Sequence, residues 1–265
     1  MLKMPDILLS LGRILILLAG VYVICAVGAH FLARSMLFPR PPLKYSPGPE
    51  YITLTAPDGV KIMARHWPNS TAKHTLFYLH GNYEDLGSLG EYLPEFVKAG
   101  YAVFAFDYRG YGLSGGTPDE LNVSADSRLA YDHLRTKLGV PAEQIVIFGY
   151  SLGGGPAVDL ARNRPVAGVV LQGAFVSAYR VMTRIPVFPA DKFENLEKIP
   201  ELRSPIMIIH GTADDTVPSW HGERLYDAIT ARKAKLMVEG GPHSGLADFT
   251  GPRYWEELRK FTDSL

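Results

Sequence analysis

The chain has 265 residues, a length that suits one sizeable core with an appendage better than two domains. Lys plus Arg and Asp plus Glu each number 27, so the formal net charge is zero and no global basic field favours a nucleic-acid partner. The one cysteine, Cys25, lies in an apolar run, which leaves the rest of the chain without a disulfide or a thiolate ligand for a metal.

Residues 1–36 form an N-terminal segment in which 14–33, "ILILLAGVYVICAVGAHFLA", carry no charge when His30 is neutral. About 20 such residues at 1.5 Å each match a hydrocarbon core of roughly 30 Å, so the stretch reads as a single-pass transmembrane helix. A cleaved signal peptide is the competing reading, because Lys3 and Arg13 precede the run and Val27-Gly28-Ala29 resembles a cleavage site; the apolar run continuing past that point favours the anchor. Basic residues flank both ends, Lys3 and Arg13 against Arg34, Arg40 and Lys44, and set no orientation. Residues 37–50 follow with five prolines (Pro39, Pro41, Pro42, Pro47, Pro49), which fix φ and remove backbone donors, as in a semi-rigid linker.

From 51 to 265 short β-branched and aromatic runs alternate with helical patterns. The runs 51–55 and 61–67, joined by a turn at Asp58-Gly59, predict an antiparallel hairpin. Further strands are expected at 75–80, 102–107, 145–148, 168–172, 206–210 and 235–239, most of them apolar throughout, as strands buried on both faces are. Helices are expected at 88–98, 121–138, 154–161, 219–229 and 252–264. The alternation implies an α/β domain with a mostly parallel sheet covered by helices on both faces. One interval breaks it. Residues 174–203 are too many for an ordinary connection and rich in Phe, Val, Met and Ile, which predicts a small lid or, equally, an amphipathic helix capping the sheet. Phe175, Val176, Tyr179, Met182, Ile185 and Phe188 are its candidate pocket residues.

Two stretches satisfy G-x-S-x-G: "GLSGG" at 112–116 and "GYSLGG" at 149–154. A nucleophilic serine needs a sharp strand-to-helix turn that exposes its oxygen. Ser151 comes just after the strand-like "IVIF" and before "LGGGPAVDLA", a helical run; Ser114 lies in a loop with four glycines around it, and so Ser151 is the candidate nucleophile. A base must follow it, with an acid between them in chain order. Of the later histidines, His210 ends a strand and His221 opens a helix, whereas His243 sits in the loop "GGPHSG" and is the candidate base. "HGTADDTVP" offers two acids, Asp214 and Asp215. Backbone donors for an oxyanion are expected at Leu152, after the nucleophile, and at Asn82 in "LHGN", where His80 reads as a buttress of the loop.

Together "HGN", "DYRGYGLSGG", "GYSLGG", "HGTADDTVP" and "GGPHSG" make residues 51–265 resemble the α/β-hydrolase fold serine hydrolases. With the N-terminal segment, linker and lid, the chain is similar to the membrane-anchored group that includes the mammalian ABHD protein depalmitoylases and their bacterial relatives. The resemblance implies Asp214 as the acid, in H-G-x-x-D-x-x-V-P, and a bracing role for Asp107 and Arg109. It also implies hydrolysis of carboxylic esters or thioesters through an acyl-enzyme, with no cofactor and no metal. Those depalmitoylases carry a palmitoylated cysteine-rich N-terminus, whereas this chain has one cysteine and an apolar helix, so their protein substrates do not carry over. The expected partners are an acyl ester or thioester, such as monoacylglycerol, lysophospholipid or an S-acyl protein, and membrane lipid. A serine peptidase using the same three residues and a non-catalytic binding protein on the same fold are the alternatives. The absence of H-E-x-x-H and of a convincing dinucleotide fingerprint argues against metalloprotease and redox classes.

Overall fold

The computed structural model describes residues 4–187 and 191–265. The N-terminal apolar run is part of a longer helix, α1 (Met4–Leu37), and its stretch Leu9–Leu37 is long and apolar enough to cross a membrane by length and composition, a test that a signal sequence also passes. After it the described residues form eight strands, β1 (Tyr51–Thr55), β2 (Lys61–Trp67), β3 (Thr75–Leu79), β4 (Ala102–Phe106), β5 (Ile145–Tyr150), β6 (Gly168–Gln172), β7 (Ile206–Gly211) and β8 (Lys233–Val238). They make one sheet in the order β1-β2-β4-β3-β5-β6-β7-β8. The hairpin β1/β2 is antiparallel, from Tyr51 opposite Arg65 to Thr55 opposite Lys61, and β2 meets β4 antiparallel. All remaining pairs are parallel.

The helices are α2 (Leu93–Lys98), α3 (Glu120–Thr136), α4 (Gly154–Asn163), α5 (Arg180–Thr183), α6 (Asn195–Lys198), α7 (Trp220–Ala228), α8 (Leu246–Thr250) and α9 (Pro252–Asp263). Successive strand residues point to opposite faces, and the core divides accordingly. Phe77, Leu79, Ile145, Ile147, Val169 and Leu171 pack with residues of α3, α4 and α7 on one face. Leu76, Tyr78, Val146, Phe148 and Val170 pack with residues of α2, α8 and α9 on the other.

Three differences from the sequence reading have local causes. The helix expected at 88–98 starts only at Leu93: Pro94 sits in its first turn, where a missing N–H costs nothing, and Asp85 and Ser88 close a side-chain loop ahead of it (Ser88 N to Asp85 Oδ1, 2.7 Å; Asp85 N to Ser88 Oγ, 2.9 Å). The interval 174–203 is not one element but two unlike halves. Its second half, with α6, buries Phe193, Ile199 and Leu202 in the core beside α4, while α5 and the turn after it lie at the surface, with Met182 and Ile185 exposed. The proline-rich stretch has no regular structure, yet it is docked rather than spanning free space. Phe38 is buried with its ring 6.3 Å from that of Phe193, Lys44 N donates to Asp85 Oδ2 at 3.0 Å, and the Tyr45 hydroxyl donates to Asp107 Oδ2.

Candidate active site

The loops after β3, β5, β7 and β8 leave the carboxyl ends of parallel strands at one edge of the sheet, where open α/β folds bind ligands. Ser151 stands between β5 and α4, in a single 3-10 turn (Ser151–Gly153), with φ +51°, a left-handed conformation uncommon for a side chain other than glycine. The turn is so tight that its neighbours must lack a Cβ. One on Gly149 would stand 2.7 Å from the Gly153 carbonyl oxygen, and one on Gly153 would overlap the carbonyl oxygen of Leu79.

Ser151, His243 and Asp214 are brought together from three separate loops. His243 Nε2 lies 3.0 Å from Ser151 Oγ, and His243 Nδ1 lies 2.6 Å from Asp214 Oδ2. Asp214 Oδ1 accepts the backbone N–H groups of Thr216 (3.0 Å) and Val217 (2.7 Å). Burial alone would push the Asp214 carboxyl up, but the hydrogen bonds from His210 and His243 outweigh it and hold the group well below the usual carboxylate range. Asp215, its neighbour in sequence, is exposed and reaches only Thr216 Oγ1, at 3.3 Å. A carboxylate that accepts Nδ1–H fixes the imidazole tautomer, so Nε2 is left free to accept a proton from the serine.

The loop 80–82 is held on both sides of Gly81. The Gly81 N–H donates to Glu84 Oε2 at 2.7 Å, and His80 Nδ1 is 2.7 Å from the Gly81 carbonyl. Tyr108 N–H faces His80 Nε2 at 3.5 Å, which assigns the ring proton to Nδ1, and burial lowers the imidazole to about 4, keeping it neutral. The peptide plane whose carbonyl is tied to His80 carries the Asn82 N–H on its opposite edge. Asn82, Ser151 and Leu152 all line one cavity of about 490 Å³, within the size range of small-molecule sites.

That cavity is apolar. Its other walls are Phe175, Ala178, Tyr179, Val181, Met182 and Thr183 after β6, Thr216 and Val217 after β7, and Ala29, Met36 and Leu37 of α1. Of the pocket residues expected from sequence, Phe175, Tyr179 and Met182 line it. Val176 does not: it is fully buried in the core beneath, with its N–H donating to His221 Nδ1 at 3.2 Å. Ile185 does not either, standing exposed outside the cavity, and Phe188 lies outside the described residues.

The second serine is occupied elsewhere. Ser114 Oγ donates to the Asp107 carbonyl and accepts from Met63 N–H, both at 2.8 Å. Around it, Arg109 grips Asp126 through Nε (2.9 Å) and Nη2 (2.6 Å) and Asp58 through Nη1 (2.9 Å), and the Asp107 carboxylate accepts from Leu86 N–H at 2.8 Å as well as from Tyr45. His221, stacked on Trp220, is lowered by burial to about 3 and lies away from Ser151 in the core.

Sequence reasoning missed several residues. His210 Nε2 lies 3.2 Å from Asp214 Oδ2 and 2.8 Å from the Val217 carbonyl; both neighbours accept only, so this nitrogen carries its proton and gives the acid a second donor. The four-residue spacing from a strand end to the acid was the available signal. Glu84 and the α1 wall had none, since each depends on contacts that the linear pattern does not encode.

A family model described as Serine aminopeptidase, S33 matches residues 70–195, and one described as Prolyl oligopeptidase family matches 180–245. Alpha/beta hydrolase domain-containing protein 17B of Homo sapiens is 36% identical over 203 residues, which cover 76% of this chain and 69% of that protein. Alpha/beta hydrolase domain-containing protein aho-3 of Caenorhabditis elegans is 36% identical over 209 residues, covering 76% of this chain and 60% of its own length. The chain belongs to the alpha/beta hydrolase domain-containing proteins. It spans between 60% and 69% of the length of these two relatives. An esterase of Pyrococcus furiosus shares the fold at a TM-score of 0.70 and 18% identity, covering 85% of this chain and 96% of that one. Family and fold together give the chain the α/β-hydrolase architecture.

Proposed function

We propose that the protein is a membrane-anchored serine hydrolase that cleaves carboxylic esters or thioesters of acyl groups through an acyl-enzyme. The observation that carries this reading is the chain of two hydrogen bonds, Ser151 to His243 at 3.0 Å and His243 to Asp214 at 2.6 Å, at the floor of an apolar cavity. In the reaction, Ser151 Oγ attacks the acyl carbonyl as His243 Nε2 takes its proton, and Asp214 stabilises the imidazolium so formed. The N–H groups of Leu152 and Asn82 hold the oxyanion of the tetrahedral intermediate. His243 returns the proton to the departing alcohol or thiol, then activates water against the acyl-serine by the same path.

The anchor is α1. Its stretch Leu9–Leu37 includes Arg13 and Arg34 and holds the run 14–33, uncharged when His30 is neutral, whose length of about 30 Å at 1.5 Å per residue matches the hydrocarbon core. A peptidase is the second reading, raised by the descriptions of both matching family models. An aminopeptidase needs a carboxylate for the free amino terminus of its substrate, and the described residues lining the cavity include none. An apolar lining suits an acyl chain. The test is a panel of acyl esters and thioesters of increasing chain length beside peptide amides, run on wild type and Ser151→Ala. Ester or thioester turnover and fluorophosphonate labelling in wild type, both lost in Ser151→Ala, are expected; labelling and turnover retained by Ser151→Ala overturn the mechanism, and turnover of amides alone makes the protein a peptidase.

A further inference from the structure

The wall of the cavity contributed by α1 is more than a tether requires. Ala29 and Met36 are seven residues apart on the helix, Leu37 adjoins Met36, and all three line the cavity that holds Ser151. Seven residues further back in the same stripe, the Tyr22 hydroxyl donates to the Val187 carbonyl at 2.8 Å. So one face of α1 meets the rest of the chain at two places, Tyr22 at Val187 and Ala29, Met36 and Leu37 at the cavity that Met182 and Thr183 also line. These are residues of the same apolar stretch that is long enough to cross a bilayer.

Residues 180–187 have the composition of an interfacial element. Met182, Ile185 and Val187 stand exposed at its tip, which in water would be an apolar patch without a partner. Arg184, exposed among them, has a stem long enough to bring its guanidinium toward the headgroups while the apolar tips lie in the acyl layer, whereas Arg180 turns inward over the Trp220 ring at 5.6 Å and donates to the Arg184 carbonyl at 3.4 Å. Tyr22 falls near the middle of Leu9–Leu37, so its contact with Val187 places that end of the segment deep in the acyl layer, with Met182 and Thr183, beside the cavity that Ala29 lines, nearer the headgroups. The Tyr22 hydroxyl meanwhile supplies the Val187 carbonyl with a donor in a medium that offers no water.

We propose that segment 180–187 sits in the membrane leaflet against α1, and that acyl substrates reach Ser151 laterally from the bilayer, between α1 and α5, so that α1 forms part of the substrate site. This rests on the serine-hydrolase reading above and adds a route and a substrate class to it: single long acyl chains already resident in a membrane. Occupancy of the gap by a large side chain then closes the lateral route while leaving the chemistry in place.

Full-length protein in phosphatidylcholine vesicles tests this with two substrates, water-soluble p-nitrophenyl butyrate and vesicle-borne monopalmitoylglycerol. Ala29→Trp and Met36→Trp are expected to lower kcat/KM for the palmitoyl ester at least tenfold relative to the butyrate. Ile24→Trp, at an exposed position outside the cavity wall, is expected to leave that ratio within twofold of wild type. A ratio unmoved by both wall variants overturns the route. Depth is read independently: in a Cys25→Ser background, fluorophores on Met182→Cys and Ile185→Cys are expected to be quenched by chain-brominated phosphatidylcholine, and one on Glu143→Cys, exposed at the opposite end of β5, to be unaffected. Equal quenching, or none, at all three sites overturns membrane insertion of the segment. Ser151→Ala separates the two readings: if it retains turnover the hydrolase mechanism itself fails, and if it is inactive while the wall variants leave the ratio unmoved, only the lateral route does.

Discussion

Replacing Asp214 by Asn changes one atom and sets up a conflict the site cannot resolve. The carboxylate receives four donors: Thr216 N at 3.0 Å and Val217 N at 2.7 Å on Oδ1, His243 Nδ1 at 2.6 Å and His210 Nε2 at 3.2 Å on Oδ2. An amide has one acceptor end and one donor end. With its oxygen toward the backbone, its NH₂ faces two ring N–H groups. His210 cannot yield, because its Nε2 also serves the Val217 carbonyl at 2.8 Å, so His243 must move its proton to Nε2 and can no longer accept from Ser151. Turned the other way, the NH₂ confronts two backbone donors, each costing about 1–3 kcal/mol when left unpaired. The first arrangement therefore holds the wrong tautomer, for which a loss of about 10⁴ in kcat is expected, or ~5.4 kcal/mol of barrier. Initial rates on p-nitrophenyl butyrate, with circular dichroism to establish folding, measure it, and Asp215→Asn at the exposed neighbour should stay within twofold of wild type. A folded Asp214→Asn enzyme that loses less than tenfold would refute the reasoning.

Three further outcomes are expected. Ser114→Ala leaves the Met63 N–H without its buried acceptor and should cost about 1–3 kcal/mol in urea unfolding while ester turnover stays within twofold; loss of labelling in a folded Ser114→Ala protein would reverse the choice of serine. Arg109→Met strands the buried Asp126 carboxylate and should cost about 3–5 kcal/mol, visible as a lowered Tm, with most of the loss recovered when Asp126→Leu is added. Burial pushes the Asp107 carboxyl up to about 7, so the folded state holds a proton that the unfolded chain has released above roughly pH 4. Stability from this group therefore falls as pH rises from about 4 to about 7, and Asp107→Asn, which keeps an acceptor for Leu86 N–H, should flatten that fall in Tm measured across the interval.

The sheet was legible because its central strands are short, nearly continuous apolar runs between segments of helical pattern, and each expected strand overlaps an observed one. Ser151 stood out because a tight strand-to-helix turn leaves a trace in glycines, and His243 because a glycine-rich loop follows a strand. What could not be read is what depends on folding at a distance. Val176 and Tyr179 are equally apolar in sequence, but only the second faces the cavity, since the direction of each is set by a chain path with no regular period. Helix 88–98 was overextended because the mutual hydrogen bonds of Asp85 and Ser88 compete with the helix locally, which hydrophobic spacing does not register.

The docked linker has a practical consequence for anyone preparing a soluble form. By pattern the domain begins at Tyr51, and a cut there would remove α1 cleanly. It would also take away Phe38 from the side of Phe193, the Lys44 N–H from Asp85 and the Tyr45 hydroxyl from Asp107, and Gly87, where a Cβ would stand 2.6 Å from the Lys44 backbone, would lose the strand of chain it makes room for. A version cut upstream of Phe38 is therefore expected to keep these contacts, and one cut at Tyr51 to unfold at a lower temperature.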